Sequence, residues 1–248
     1  MMKNIKPLFI LELKKLLRTP TVILFGVGAP IVFLIFQAEM FSHTIDFNDH
    51  EISILEYAFP LYAFLSVIVL AFGNVGAGIA YTRSTGFLKK LKLASVSHLD
   101  FIIAHFLVQL VVASLTIVMM FSIATVFYDL TFAERNILLF VGLLLLTLMM
   151  CYAIGVFLAN LSKDPLASQS VSLTAYFMVL LLGGVMFPLE LMPHFMQKLA
   201  NILPTTHGMR VLQLAWNNQS IFTNMHFLLV LISTLIFGIL AVKFFKRE

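Results

Sequence analysis

The sequence predicts an all-α integral membrane protein. It should have six transmembrane helices, an N-terminal interfacial amphipathic helix and an outer re-entrant helical hairpin between spans five and six. Three observations lead there. Hydrophobic residues make up 60% of the 248, and mean hydropathy is +1.00, whereas a soluble domain is about half apolar. Six stretches carry no Asp, Glu, Lys or Arg: Thr19–Ala38, Tyr57–Thr82, Phe101–Tyr128, Asn136–Ser162, Pro165–Leu189 and Val211–Val242. Each can cross a hydrocarbon core, which takes about 20 helical residues. The third observation is the sidedness of charge. With an even number of spans both termini share one side, and all of the 16 Lys and Arg residues fall on it except Arg135, Lys198 and Arg210. The positive-inside rule then places both termini in the cytoplasm of a multi-pass cell-membrane protein. The acids lean the other way, with Glu39, Asp46, Asp49, Glu51, Glu56, Asp129, Glu134 and Glu190 outside.

Each element has its own signal. Within residues 1–20, Ile5, Leu8, Phe9, Leu13, Leu16 and Leu17 recur at helical spacing, with Lys3, Lys14 and Arg18 opposite. That pattern suits a helix lying in the cytoplasmic interface, where cations meet anionic lipid. Glu12 intrudes on the apolar face within reach of Lys15. Residues 21–248 form the six-span domain. Pro20 sits where a new helix starts, a position that tolerates it. The first apolar run follows a basic helix without a small-residue cleavage pattern, so it reads as a retained span. Glu39–Glu56 is an acidic outer loop; His43 and His50 lie in it without ligand spacing, so no metal is expected there. In span two, Gly73, Gly76 and Gly78 permit close helix approach, and Asn74 needs a partner. Tyr81–Asp100 is the longest cytoplasmic loop. Its Phe87, Leu88 and Leu91 fall at helical spacing beside Lys89, Lys90 and Lys92.

Spans three and four are joined by a short outer turn, which makes them antiparallel neighbours. His105 and Gln109 lie one turn apart on span three, at a depth where polar groups attract functional suspicion. Gly183 and Gly184 lie near the outer end of span five. Beyond them, Pro188, Pro193 and Pro204 cut 187–216 into short amphipathic pieces, which form the re-entrant hairpin. Arg210 is its inward basic residue, with Glu190 and His207 the nearest groups to satisfy it.

Several functions are excluded. No G-x-x-x-x-G-K-S/T phosphate loop occurs, so the chain does not split ATP by that route. Gly73-Asn74-Val75-Gly76 lacks the strand–turn–helix setting of a nucleotide loop. Cys151 is the single cysteine, which leaves no disulfide or thiolate metal site. His, Asp and Glu do not gather as a membrane enzyme needs, and nothing suggests nucleic acid. No acid lies deep in a span, which weighs against the alternative of an ion-gradient secondary transporter.

The order of elements resembles the membrane subunit of type-2 ABC exporters across nearly the whole chain. Phe187-Pro188 through Pro193 to Leu203-Pro204 and Arg210 looks like that family's outer hairpin. Arg83, Gly86 and Leu91 look like its cytoplasmic Glu-Arg-x-x-Gly-Thr-x-x-x-Leu segment, with Thr82 at the Glu position and Phe87 at the Thr position. The resemblance implies a permease that moves a hydrophobic or amphipathic substrate (drug, antimicrobial peptide or lipid-like) outward. It implies coupling to an ATPase through Arg83, Gly86, Leu88, Lys89, Lys90 and Leu91, and an outer gate of Pro188, Glu190, Pro193, Pro204, His207 and Arg210. The partners implied are two ATPase subunits, which would carry ATP and Mg, a second permease copy or a paralogous one, and membrane lipid. This chain itself would bind no cofactor.

Overall fold

The computed structural model describes residues 5–40, 44–47, 50–93, 96–130, 135–161, 164–186, 189 and 192–245. Helix α1, Ile5–Leu17, buries Leu8 and Glu12 on one face. The Thr19 hydroxyl donates to the Lys15 carbonyl (3.0 Å) at its end, and Pro20 opens the next helix. That helix is continuous from α2 (Pro20–Ile23) through a π-helical turn (Leu24–Gly28) into α3 (Ala29–Met40). Pro30 withdraws a backbone donor just after the π turn. A register change is one way a helix absorbs such a loss.

The predicted outer loop contains a small antiparallel hairpin, β1 (Thr44–Phe47) against β2 (His50–Ser53). The remaining described elements are helical. α4 (Ile54–Ile68) passes through a second π turn (Val69–Asn74) into α5 (Val75–Ser84). Gly86, at φ +64, reverses the chain into α6 (Phe87–Leu93), a left-handed position that glycine adopts without strain.

Polar caps set the boundaries of the later helices. Ser97 accepts from the Leu99 amide at the start of α7 (His98–Tyr128), and Asp129 ends it at φ 50. Asn136 caps α8 (Ile137–Ala159), and Asp164 followed by Pro165 caps α9 (Pro165–Leu182). Gly184 then turns at φ +81. Two short helices follow, α10 (His194–Ile202) and α11 (Pro204–Trp216), and Asn224 caps α12 (Met225–Lys243). Three described helices are long and apolar enough to cross a membrane: α7, α8 and α12. Shorter apolar stretches occupy Leu24–Met40, Ala58–Asn74 and Leu166–Leu182.

The main core gathers Leu34, Phe59, Phe64, Phe72, Met120, Phe140 and Trp216, all fully buried. A second cluster lies at the other end, where Leu8, Val75, Ile79, Phe101, Tyr152 and Phe245 meet. α8 is the central post, packing chiefly on α12, α11 and α5. Helices in lipid associate through close packing of small residues. A Cβ on Gly155 would collide with the Ala71 carbonyl, and one on Gly76 with the Ser172 hydroxyl. On Gly208 it would lie 2.7 Å from the Thr147 methyl. Gly73 touches only its own helix's Val69, so it plays no such part. α7 and α8 are less intimate than their short connection suggests. They diverge around an apolar groove of about 230 Å³ lined by Ile117, Phe121, Val141, Leu144 and Leu148.

Gly155→Val is therefore expected to destabilise the bundle by about 1–3 kcal/mol, because the obstructing atom is backbone and cannot swing aside. Thermal unfolding in detergent, set against Gly142→Ala where no heavy atom lies near, checks this.

Candidate functional site

Polar and charged side chains concentrate at two places. At the α5–α6 corner, α6 presses Phe87 and Leu91 onto the second apolar cluster, which also receives Ile5, Leu8 and Phe9 of α1 and Phe101 of α7. Leu91 thus faces its own protein. Lys90 is exposed, and Leu93 is 87% exposed at the end of α6. Arg83, Leu88 and Lys89 are described at the backbone only, on α5 and α6, and Gly86 is the turn between those helices.

Beneath this corner runs a polar chain. Glu12 is 5% exposed, and its carboxylate lies 3.6 Å from the Lys15 ammonium. Burial pushes the Glu12 carboxyl above its usual range, and Lys15 partly restores it. Lys15 donates to the Thr82 hydroxyl (3.4 Å), which in turn donates to the Gly78 carbonyl (2.6 Å). The His105 ring sits against Gly78, whose added Cβ would lie 3.3 Å from Nε2. Tyr152 donates its hydroxyl proton to the Ile102 carbonyl (3.0 Å) and meets His105 Nδ1 at 3.2 Å. A hydroxyl has one proton, so His105 Nδ1–H is the donor in that pair. One turn outward, buried polar atoms of Asn74 and Gln109, and nearby Ser172, have no hydrogen-bond partner among the described residues.

Around α10 and α11, Pro193 precedes α10 and Pro204 occupies the first turn of α11, where neither withholds a needed donor. Pro188 and Glu190 lie outside the described residues. His207 is buried, and its Nε2 faces the Asn201 carbonyl at 3.0 Å while its Nδ1 faces His226 Nδ1 at 2.9 Å. A carbonyl only accepts, so His207 carries its proton on Nε2 and accepts from His226. Ring centroids 5.0 Å apart and planes 20° apart fit rings meeting end to end along this bond. Burial holds His207 below its ordinary pKa of 6.5, the Asn201 bond opposes that, and Arg210 adds to it. Arg210 is half-buried, and no acid lies within ion-pair distance among the described residues.

A neighbouring cluster escaped the sequence reading. Arg135, before α8, pairs with the Glu56 carboxylate of α4, donates to the Trp216 carbonyl and lies 4.6 Å over the Trp216 ring. Trp216 donates its indole N–H to the Glu56 carbonyl (2.7 Å) and packs against Phe59 and Phe140. The available signals were the sole tryptophan at the end of an amphipathic helix and one acid and one base flanking spans. Among the described residues, no group of three or more His, Cys, Asp or Glu gathers as a metal site would need; His43 lies outside them.

With this geometry in hand, comparison with known proteins is decisive for the family. The ABC-2 type transporter model matches residues 4–216. The chain is also similar to the Bacillus subtilis (strain 168) protein described as "Putative transport permease YvfS". The two are 24% identical over 242 residues, covering 96% of this chain and 95% of that one. The protein belongs to the ABC-2 type transporter family.

Two outcomes follow from the outer contacts. An Arg135→Gln, Glu56→Gln double-mutant cycle should give a coupling of about 1 kcal/mol in thermal stability, since the pair is shielded yet partly wet. For His207, the unfolded chain takes up a proton near 6.5 while the folded ring resists. Its contribution is therefore intact above that pH and lost as pH falls below it. Melting curves from pH 7.5 to 5 should show a decline that His207→Gln reduces.

Proposed function

We propose that this chain is the membrane-spanning permease subunit of an ATP-driven exporter of a hydrophobic or amphipathic substrate. One observation carries the reading most directly. The short helix α6 is seated on an apolar cluster shared with α1 and α7, yet ends in Leu93, 87% exposed beside exposed Lys90. An exposed apolar residue at the end of a basic helix offers a contact to a partner, and the ABC-2 type transporter family match supports a separate ATPase as that partner. On this reading the corner formed by Arg83, Gly86, Leu88, Lys89, Lys90 and Leu91 receives a separate ATPase, which binds ATP and Mg. Two ATPase subunits and two permeases, identical or paralogous, make the working unit. The six spans are Pro20–Met40, Ile54–Ser84, α7, α8, α9 and α12, with both termini cytoplasmic. α10 and α11 form the outer gate, with Pro188, Glu190, Pro193, Pro204, His207 and Arg210 as its working residues.

The Bacillus subtilis relative's description as a transport permease supports transport. The scarcity of fixed charge in the spans supports a hydrophobic or amphipathic cargo. A secondary transporter would need acids or broken helices facing each other at mid-depth. The two π turns are the nearest feature, and they carry no acid.

Three measurements test this reading. In a Cys151→Ser background, a cysteine at Asn218 should react with impermeant thiol reagent on intact cells, and one at Ser84 only after permeabilisation; labelling at Ser84 in intact cells overturns the six-span arrangement. Leu93→Asp should leave folding intact yet weaken co-purification with the ATPase by about 2–4 kcal/mol, whereas Leu91→Asp should fail to fold, because Leu91 packs inward. Arg210→Ala should lower transport per ATP hydrolysed in vesicles without lowering insertion, and Pro204→Ala should do so more weakly.

A further inference from the structure

Glu12 is the residue that the amphipathic pattern of α1 does not explain. It shares a face with Leu8, one turn away, and both are buried. An ordinary interfacial anchor would place an apolar residue there. Only the Glu12 half of its pair with Lys15 is buried, Lys15 keeping 36% of its side chain exposed; such a pair is a poor stabiliser, since desolvation of the carboxylate offsets a partly screened attraction, and apolar replacements commonly do as well. Its best-attested use is to fix register or to bias a switch.

The partners of this pair show what it would register. Lys15 reaches from Glu12 to Thr82, on the last turn of α5. Four residues on lies Gly86, the left-handed turn into α6. Thr82 is 1% exposed, and its own proton is committed to the Gly78 carbonyl, so its oxygen lone pair is left for the ammonium. The Gly78 turn rests on His105 of α7, which is tied to Tyr152 of α8. Polar contacts from Glu12 to the Gly78 carbonyl, close packing of Gly78 on the His105 ring, and the His105–Tyr152 hydrogen bond therefore join α1 to the α5–α6 corner and to α7 and α8.

We propose that the Glu12–Lys15 pair positions α1 against the α5–α6 corner through Thr82, so that the two move as one body and pass a partner's displacement to α7 and α8. Glu12 and Lys15 are positioning residues, distinct from the surface around Leu93 that would touch the partner. The proposal rests on the permease reading for the source of the displacement, but the register it describes is a property of this chain alone.

The test compares the full-length chain with Glu12→Leu, Lys15→Met, a pair of apolar replacements of similar bulk. Spin labels at exposed Leu11 and Lys90, in a Cys151→Ser background in nanodiscs without ATPase, should give a narrow distance distribution in the parent and a broadened one in the variant. The variant should melt no lower than the parent and co-purify with the ATPase equally. Its transport per ATP hydrolysed should fall at least about fivefold, the lower end of site-to-site coupling. Lys15→Arg, which keeps a cationic donor between the Glu12 carboxylate and the Thr82 oxygen, should retain the narrow distribution and most of the transport. A Glu12→Leu, Lys15→Met chain that keeps the narrow distribution, or broadens it while transporting normally, overturns the proposal. A parent chain that neither binds nor is driven by the ATPase instead contradicts the permease reading, and the spin-label result then still decides the register.

Discussion

Hydrocarbon offers no hydrogen bonds, and the rest of this structure follows from that constraint. Backbone groups are closed within helices, and side-chain hydroxyls follow suit. Thr116, Thr147 and Thr234 each donate to the carbonyl four residues back, and the Asn160 amide does the same to Val156. With the hydrophobic effect unavailable between helices in lipid, contact depends on approach. The bundle therefore turns on a few glycines, at 76, 155 and 208, where a neighbour's backbone or side chain occupies the space a Cβ would take. α8 can stand at the centre because Gly155 admits the Ala71 carbonyl and its Thr147 and Met150 admit Gly208 of α11.

The same constraint sorts the polar groups. Charge survives only where it is paired or near an end. At one end, Arg135, Glu56 and Trp216 lash the starts of α4 and α8 to the close of α11. At the other, Glu12 and Lys15 lie under the α5–α6 corner. Between them, the buried amide of Asn74 and carbonyl of Gln109 find no partner among the described residues. Both lie beside the π turn at Val69–Asn74 or one helical turn beyond His105.

The sequence conveyed the architecture where the physics is local. The apolar stretch from Pro165 and the prolines at 193 and 204 placed the starts of α9, α10 and α11 close to where they lie. Periodicity also found α1 and α6. Contacts that depend on which faces meet were not legible. Spacing identifies a face and not its neighbour: Leu91 packs on the apolar cluster shared with α1 and α7, and Leu93 is the exposed residue at the end of α6. Arg135, Glu56 and Trp216 are far apart in sequence, so no motif joins them. Sequence leaves both Glu190 and His207 open as partners for Arg210; in the fold the His207 ring is committed to Asn201 and His226. The β1–β2 hairpin and both π turns carry no strong local signal, and they were missed.

As proposed, the chain is a conduit driven by another protein's ATP hydrolysis and not by an ion gradient. The most direct measurement reconstitutes the purified chain in liposomes, with and without its ATPase, and follows a fluorescent amphipathic cargo under ATP or under an imposed proton or sodium gradient. The account predicts cargo movement only with the ATPase and ATP present, and no response of the chain alone to either gradient. Gradient-driven movement by the chain alone would contradict it.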